Sequence, residues 1–342
     1  MMIHRLAILT AIAAIGSGCA IVTIPALFPR EVEMREFTVQ PAQSYLTRNK
    51  ILMLDVSGMI TDERYSGLFS EWPSTLADVR DALDKAQKDN HIKAVILRIN
   101  SPGGTVTASD SIYNQIRLFK ERRAKKGQSV VVVASLQSTG ASGGYYVALA
   151  CDEIYAHPTA ITGAIGVIGI FPKLADLTRK IGVDVRVIKS ADKKDMGSMW
   201  RDFTPDEQAI LQRMIDEMFE RFAQIVAEKR SLTPETVRRL ADGRIYTAKQ
   251  ALENRLIDGI SYLDDVIERT KQLAHLADAR VITYRRVSEF SGGIYSRSSV
   301  NEPLGRARGE LQAAPQVNLL QINADGLPGP SRLPGFYYLW MP

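Results

Sequence analysis

The stretch VVVVASLQSTGASGGYY, residues 130–146, decides the fold class of this chain. Its four valines form a β-branched run too short for a helix, and small residues and glycines follow. Continuous apolar runs also occupy residues 51–56 and 94–99, and patterns with helical spacing at residues 76–87 and 110–122 follow them. Such runs between amphipathic helices are typical of parallel strands buried on both faces. The sequence therefore predicts an α/β fold.

Two further helices are predicted from their start signals. Thr204-Pro205-Asp206-Glu207 combines an N-cap threonine, a proline at the first helical position and a capping-box glutamate. A second helix is predicted to begin at Thr233-Pro234-Glu235 and to stop at Gly243. On the first helix, apolar side chains at helical spacing predict one core-packing stripe: Ile210, Leu211, Met214, Ile215, Met218, Phe222 and Ile225.

The composition excludes several classes of site. The chain has 342 residues, 45% of them apolar and 24% charged, which is typical of a globular protein with one or two domains. Two cysteines cannot form a disulfide framework or a four-thiolate zinc site, and four histidines leave little material for a metal centre. The net charge of +5 comes without a basic block interleaved with aromatic residues. We therefore expect no metal, no cofactor and no nucleic acid.

An uncharged segment at residues 6–27 predicts that the chain is held at a membrane. It is long enough to cross a bilayer as a helix, and Arg5 precedes it. It also fits a secretory signal, and Gly16-Ser17-Gly18-Cys19 resembles a bacterial lipoprotein signal in which Cys19 is lipidated. A lipidated Cys19 and an uncleaved anchor both remain open. Either one places the body of the protein outside the cytoplasm.

The rest of the chain divides into three predicted regions. Residues 28–45 mix proline and charge and are interpreted as a linker. Residues 46–290 form the predicted main domain. Residues 291–342 are rich in Gly, Pro, Ser and Arg and predict a mostly disordered tail. Its aromatic end is expected to dock on its own domain rather than on a dedicated partner.

Two glycine-rich turns are the candidates for chemistry. Asn100-Ser101-Pro102-Gly103-Gly104 and Ser138–Tyr146 each follow an apolar strand and open a helix. Backbone N–H groups at such turns stabilise negative charge, so one N–H from each turn could form an oxyanion hole. Neither turn has the pattern of a P-loop or of a dinucleotide-binding fold. The second turn contains GxSxG, with Ser142 at the position of a nucleophile.

The residues alone do not decide which side chain would act as the base that activates Ser142. His157 lies in a predicted turn only 15 positions after the serine, and His275 lies in a helical surface pattern. A Ser–His–acid triad of the α/β-hydrolase type therefore has no well-placed histidine, although it stays as the alternative. A lysine can replace histidine if burial lowers its pKa, because only the neutral amine accepts a proton. Such lysines occur within residues 187–198.

Four segments resemble the signal peptide peptidase A family in its half-length, single-repeat form. They are NSPGGTVTASDSI, STGASGGYYVALACDEIYAHPTAITGAIGVIG, KKDMGS and ADGRIYTAKQALENRLIDGI, within residues 50–265 and in the family's order. The resemblance implies a Clp-protease/crotonase-like α/β fold, with a parallel sheet flanked by helices, and a serine endopeptidase with a serine–lysine dyad.

The resemblance also implies roles for individual residues. Ser142 would be the nucleophile and Lys194, which lies 52 positions later and just before Asp195, the general base. Lys193 is the neighbouring candidate for the base. The N–H groups of Gly143 and Gly103, with Gly104 as the second choice, would bind the oxyanion.

Finally, the resemblance implies partners and a location. In half-length relatives the serine and the lysine of one site come from neighbouring subunits, which implies a homo-oligomeric ring. The implied substrates are residual signal peptides and other hydrophobic peptides. The implied location is the bacterial cell envelope, with a membrane anchor and the catalytic domain on the extracytoplasmic side.

Overall fold

The fold is described from a computed structural model, which covers residues 34–63, 65–66, 71–72, 74–286, 294 and 335–340. The predicted membrane segment with Cys19 and most of the predicted tail lie outside these residues. Within them, no helix combines the length and the apolar character needed to cross a bilayer.

One mixed sheet organises the described part of the chain. Its central path runs β1-β12-β2-β5-β6-β7-β11, in which every neighbouring pair is parallel except the edge pair β1–β12. The strands of this path are β1 (Met34–Gln40), β2 (Lys50–Ile60), β5 (Ile92–Thr105), β6 (Val131–Ala141), β7 (Glu153–Ala156), β11 (Gly259–Ile260) and β12 (Arg280–Arg286). Shorter strands join at the side: β8 (Ile161–Gly163), β9 (Ile168–Ile170), β10 (Ile245–Thr247) and β13 (Gly335–Leu339). A separate pair is formed by β3 (Tyr65–Ser66) and β4 (Glu71–Trp72).

Helices pack on both faces of this sheet, as the continuous apolar runs predicted. They are α1 (Thr75–Ala86), α2 (Val106–Lys125), α3 (Gly143–Ala148), α4 (Ala175–Lys180), α5 (Pro205–Arg230), α6 (Pro234–Leu240), α7 (Ala248–Glu253) and α8 (Leu263–Leu273). Along β2, Leu52 and Leu54 belong to the core under α1 and α2, whereas Ile51 and Met53 belong to the core under α8. Alternate residues of one strand therefore fill two cores, which is why the strand is apolar throughout.

The helix starts predicted from the sequence are confirmed. Thr204 Oγ1 accepts from the N–H of Glu207 at 3.2 Å, and the N–H of Thr204 donates to the Glu207 carboxylate at 2.9 Å. These two bonds form the predicted capping box of α5. Thr233 caps α6 with one bond, because its Oγ1 accepts from the N–H of Thr236 at 3.2 Å, and α6 ends at Leu240, three residues before Gly243.

The predicted apolar stripe of α5 is only partly buried. Phe222 and Ile225 lie in the core, as does Leu211, whereas Met214 is 37% exposed. Ile210, Ile215 and Met218 are half-buried.

Two strands lie in regions that the sequence assigned to a linker and a tail. Residues 34–40, placed in the linker, form β1 and pair antiparallel with β12 from Met34↔Arg286 to Gln40↔Val281. Residues 335–339, placed in the tail, form β13 and pair with β5 and β9. Each segment satisfies the unpaired N–H and C=O groups of a sheet edge, and this long-range pairing has no local sequence signature. The aromatic end thus docks on its own domain, as expected.

A buried ion cluster gives a test of this fold. Arg98 binds Asp55 at 2.7 and 2.6 Å, Arg285 binds the same carboxylate, and the Asp55 side chain is 4% exposed. Replacing Asp55 with alanine leaves two guanidinium groups without this counter-charge. We expect the free energy of unfolding in urea to fall by about 3–5 kcal/mol.

The matched control is Asp84→Ala, which removes an exposed ion pair with Arg80. We expect that variant to lose about 0–1 kcal/mol. Equal, small losses in the two variants would contradict a structural role for the cluster.

Candidate active site

Ser142 lies on a sharp turn between a strand and a helix. β6 ends at Ala141 and α3 begins at Gly143, so the serine alone makes the connection. Its φ of 51° and ψ of −114° are unusual for a residue with a side chain. The N–H of Ser142 donates to the carbonyl of Gly163 at 2.7 Å, and Tyr146 N–H donates to the carbonyl of Ser142 at 2.8 Å. GxSxG therefore forms the strand–turn–helix geometry of a nucleophile elbow.

The glycines after the serine allow this turn to pack tightly. A Cβ at Gly143 would lie 2.5 Å from Ser109 Oγ, and a Cβ at Gly144 would lie 2.8 Å from the carbonyl oxygen of Ser101. Neither position has room for a side chain. Glycine is therefore required at both positions by the packing around the serine.

The two glycine-rich turns lie directly against each other. A Cβ at Gly103, where φ is +108°, would lie 2.8 Å from the backbone nitrogen of Gly143. A Cβ at Gly104 would lie 1.9 Å from the carbonyl oxygen of Ile60. The parallel sheet brings the ends of β5 and β6 to the same edge, so the two turns expected to face one oxyanion are neighbours.

The N–H groups of Gly103 and Gly104 differ in their surroundings. Gly103 N–H donates to Ser101 Oγ at 3.0 Å, and that hydroxyl donates to the carbonyl of Gly58 at 2.6 Å. Ser101 is fully buried. The N–H of Gly103, the first choice from sequence, is thus already engaged. The nitrogen of Gly104, the second choice, lies 3.1 Å from the Cβ position of Gly143.

The terminal strand β13 lies along the same turn. Tyr338 pairs with Gly104 and Leu339 with Gly103, and Trp340 N–H donates to the carbonyl of Pro102 at 2.9 Å. On its other side, β13 pairs antiparallel with β9. An extended segment of the chain therefore fills the space between β5 and β9, beside the elbow.

The side chain of Tyr338 occupies an aromatic pocket beneath this strand. Its ring stacks on Tyr146 at a centroid distance of 4.9 Å, and Phe222 lies at the same distance with a tilt of 55°. Its hydroxyl donates to the carbonyl of Met218 at 3.0 Å, and burial raises its pKa. The pocket thus holds a large aromatic side chain with its hydroxyl satisfied.

The lysine segment lies apart from Ser142 in the single chain. Lys194 belongs to a 3₁₀ turn, Asp192–Asp195, and is exposed, whereas Ser142 is 1% exposed. No hydrogen bond joins the two residues within the described part of the chain. Lys193 forms an ion pair with Asp206. Of the two neighbouring lysines, Lys194 is therefore the one whose amine is not held by a carboxylate of α5.

Neither candidate histidine is joined to Ser142 in the part of the chain that the structure covers. His157 contacts Thr159 Oγ1 at 2.9 Å and packs edge-on against Tyr262. His275 is exposed at the end of α8. Cys151 is half-buried against the core, and desolvation raises the pKa of its thiol. The geometry does not favour the alternative triad.

The sequence patterns did not single out the side chains that hold the Gly103 turn and the turn that carries Lys194. Ser101 orients Gly103, and Arg201 contacts Asp195 beside Lys194. The only sequence signal for either was its nearness to a motif, and neither spacing nor periodicity marks such contacts.

Comparison with known proteins identifies the family of this chain. The family model "Peptidase family S49" matches residues 123–277, and the model "Clp protease" matches residues 48–161. A protein of Enterococcus faecium named "Putative signal peptide peptidase SppA" is 35% identical over 73% of this chain and 71% of its own length. A protease of Synechocystis is 38% identical over 69% of this chain and 78% of its own. Protease 4 of Salmonella typhi is 32% identical over 67% of this chain and 35% of its own.

Among solved structures, ClpP1 of Listeria monocytogenes matches with a TM-score of 0.40 and 19% identity, over 62% of this chain and 92% of that one. The sequence relatives and the family models carry the assignment. This chain belongs to peptidase family S49, and it is a serine peptidase with a Clp-protease-like α/β fold.

Proposed function

We propose that the chain is a membrane-tethered endopeptidase that cleaves residual signal peptides and other hydrophobic peptides with a Ser142–Lys194 dyad. The observation that carries this proposal is the terminal strand. Residues 335–339 bind as an extended antiparallel strand against Gly103 and Gly104, next to the Ser142 elbow. A groove that holds an extended backbone beside a strained serine is suited to peptide hydrolysis.

The substrate would bind by adding a strand to the sheet. Backbone hydrogen bonds along the edge of β5 hold any extended peptide, and side-chain pockets select among sequences. The groove is apolar and aromatic where Tyr338 enters it, against Tyr146 and Phe222. This lining supports hydrophobic peptides as the substrate class.

The chemistry would follow from the positions of the backbone groups. The Ser142 hydroxyl attacks the scissile carbonyl while the neutral amine of Lys194 takes its proton. The N–H groups of Gly143 and Gly104 stabilise the oxyanion. The protonated lysine then gives its proton to the leaving amine, and a water molecule hydrolyses the acyl-enzyme by the same route.

The lysine would come from a neighbouring copy in a homo-oligomeric ring. Lys194 is exposed, and no hydrogen bond joins it to Ser142 of its own chain among the described residues. The segment before it presents exposed apolar side chains, among them Leu177, Ile181 and Ile188, which are 54%, 65% and 99% exposed. Such a surface favours association with another copy. The uncharged residues 6–27, with or without lipidation of Cys19, would tether the ring to the extracytoplasmic face of a bacterial membrane.

Single substitutions test the dyad. Ser142→Ala and Lys194→Ala should each lower kcat/KM for a fluorogenic hydrophobic peptide by about 10³-fold or more, because each removes a group that acts in the transition state. Lys193→Ala is the matched control and should keep most activity. Full activity in Lys194→Ala would rule out this base.

Mixing two inactive proteins tests the shared site. Ser142→Ala subunits retain the lysine and Lys194→Ala subunits retain the serine, so rings assembled from both contain some complete sites. We expect co-refolded mixtures to recover a substantial part of wild-type activity in the same peptide assay. No recovery in rings shown to be mixed would mean that both groups come from one chain.

Removing the terminal strand tests the groove. A chain lacking residues 335–342 should have a higher kcat/KM for short peptides, because β13 no longer competes for the edge of β5. The peptide Gly-Phe-Tyr-Tyr-Leu should inhibit this truncated protein competitively. Replacing its second tyrosine, which matches Tyr338, with alanine should weaken inhibition by about tenfold or more, since a buried aromatic ring is lost. Equal inhibition by both peptides would mean that the aromatic pocket does not contribute to substrate binding.

A further inference from the structure

Arg201 connects the turn that carries Lys194 to the start of α5. We propose that Arg201 is a positioning residue that holds Lys194 in place through Asp195 and Glu207. This inference rests on the proposed function, because it assigns Arg201 a role toward the proposed base.

The guanidinium of Arg201 binds two carboxylates at once. Nε and Nη2 donate to Asp195 at 2.9 and 2.7 Å, and Nη1 and Nη2 donate to Glu207 at 2.8 and 2.5 Å. Nη1 also donates to the carbonyl of Asp202 at 2.8 Å. A planar fork with fixed donor directions holds both partners in one geometry, which a lysine at this position could not do.

The two carboxylates belong to parts of the chain with different rigidity. Glu207 is 2% exposed and also closes the capping box of α5, a helix of 26 residues. Asp195 ends the four-residue turn that carries Lys194, and that turn has no buried residue. Because the turn lacks core contacts of its own, its position depends on polar contacts. Arg201 supplies two of these through Asp195, and Lys189 supplies a third at 2.8 Å.

The charges around the turn are nearly balanced. Hydrogen bonds from Arg201 lower the pKa of Glu207 to about 2 and also lower the pKa of Asp195. Both carboxylates are therefore ionised wherever a lysine base could work. The other charged groups at the turn are Asp192 and Lys193 within it, Lys189 before it and Asp206 of α5, to which Lys193 is paired.

Removing either partner of Arg201–Asp195 changes this balance in opposite directions. Without Arg201, the carboxylate of Asp195 is compensated by Lys189 alone, and its negative charge would favour a protonated amine at Lys194, the preceding residue of the chain. Without the charge of Asp195, that stabilisation is lost. A contact remote from the amine would not give effects of opposite sign on its ionisation.

The test is the pH profile of kcat/KM in the full-length protein with a fluorogenic hydrophobic peptide. Arg201→Gln should lower kcat/KM by about 10- to 100-fold, since a small displacement of the base is costly. It should also move the acid limb of the profile to higher pH, by about half a unit. Asp195→Asn should move the acid limb to lower pH. Arg201→Lys should recover part of the rate, because it restores the charge without the fork.

Arg213→Gln is the matched control, because Arg213 is an exposed arginine of α5, and it should leave the rate and the profile unchanged. Thermal unfolding curves show that each variant is folded, and the pH profiles are measured on the folded proteins. The inference is overturned if Arg201→Gln matches wild type, or if Arg201→Gln and Asp195→Asn lose rate without shifting the acid limb in opposite directions. Full activity in the Lys194→Ala protein would instead contradict the proposed function itself.

Discussion

The contact between the two glycine turns is the constraint on which the candidate site depends. A Cβ at Gly103 would meet Gly143 N at 2.8 Å, and a Cβ at Gly143 would lie 3.1 Å from Gly103 Cα. A side chain at either position would push the end of β5 away from the elbow. This close packing also holds Ser142 in a backbone conformation that costs on the order of 1–3 kcal/mol. The serine keeps its strained geometry because its neighbours leave the backbone no other arrangement.

The same region explains why a groove exists beside the serine. β6 follows β5 as far as the pair Ser101↔Gly140 and then turns into the elbow. Beyond that point β2 still pairs with one edge of β5. The other edge is no longer paired with β6, and β13 pairs with it instead. Since an open edge accepts any extended backbone, the divergence of two strands creates the serine turn and, on the proposed function, the peptide site together.

Local patterns predicted the parts of this structure that depend on local physics. The strands at residues 51–56 and 94–99, the capping box at Thr204 and the elbow at Ser142 follow from periodicity, caps and turn chemistry. The strand at Met34–Gln40 was not predictable in this way, because its partner lies more than 200 positions away. The hydrogen bond from Gly103 N–H to the buried Ser101 hydroxyl was not predictable either, because no spacing rule contains the direction of a side chain.

A lysine base imposes a requirement that a single chain does not meet. An ammonium in water keeps its proton at neutral pH, and only burial away from charge makes the amine available as a base. Lys194 is exposed in the single chain, whereas Ser142 is buried. On the proposed mechanism, docking of a second copy must therefore both bring the lysine to the serine and remove water from it. Assembly would then create the base as well as the site, so the isolated chain would be protected from cleaving its surroundings before it assembles.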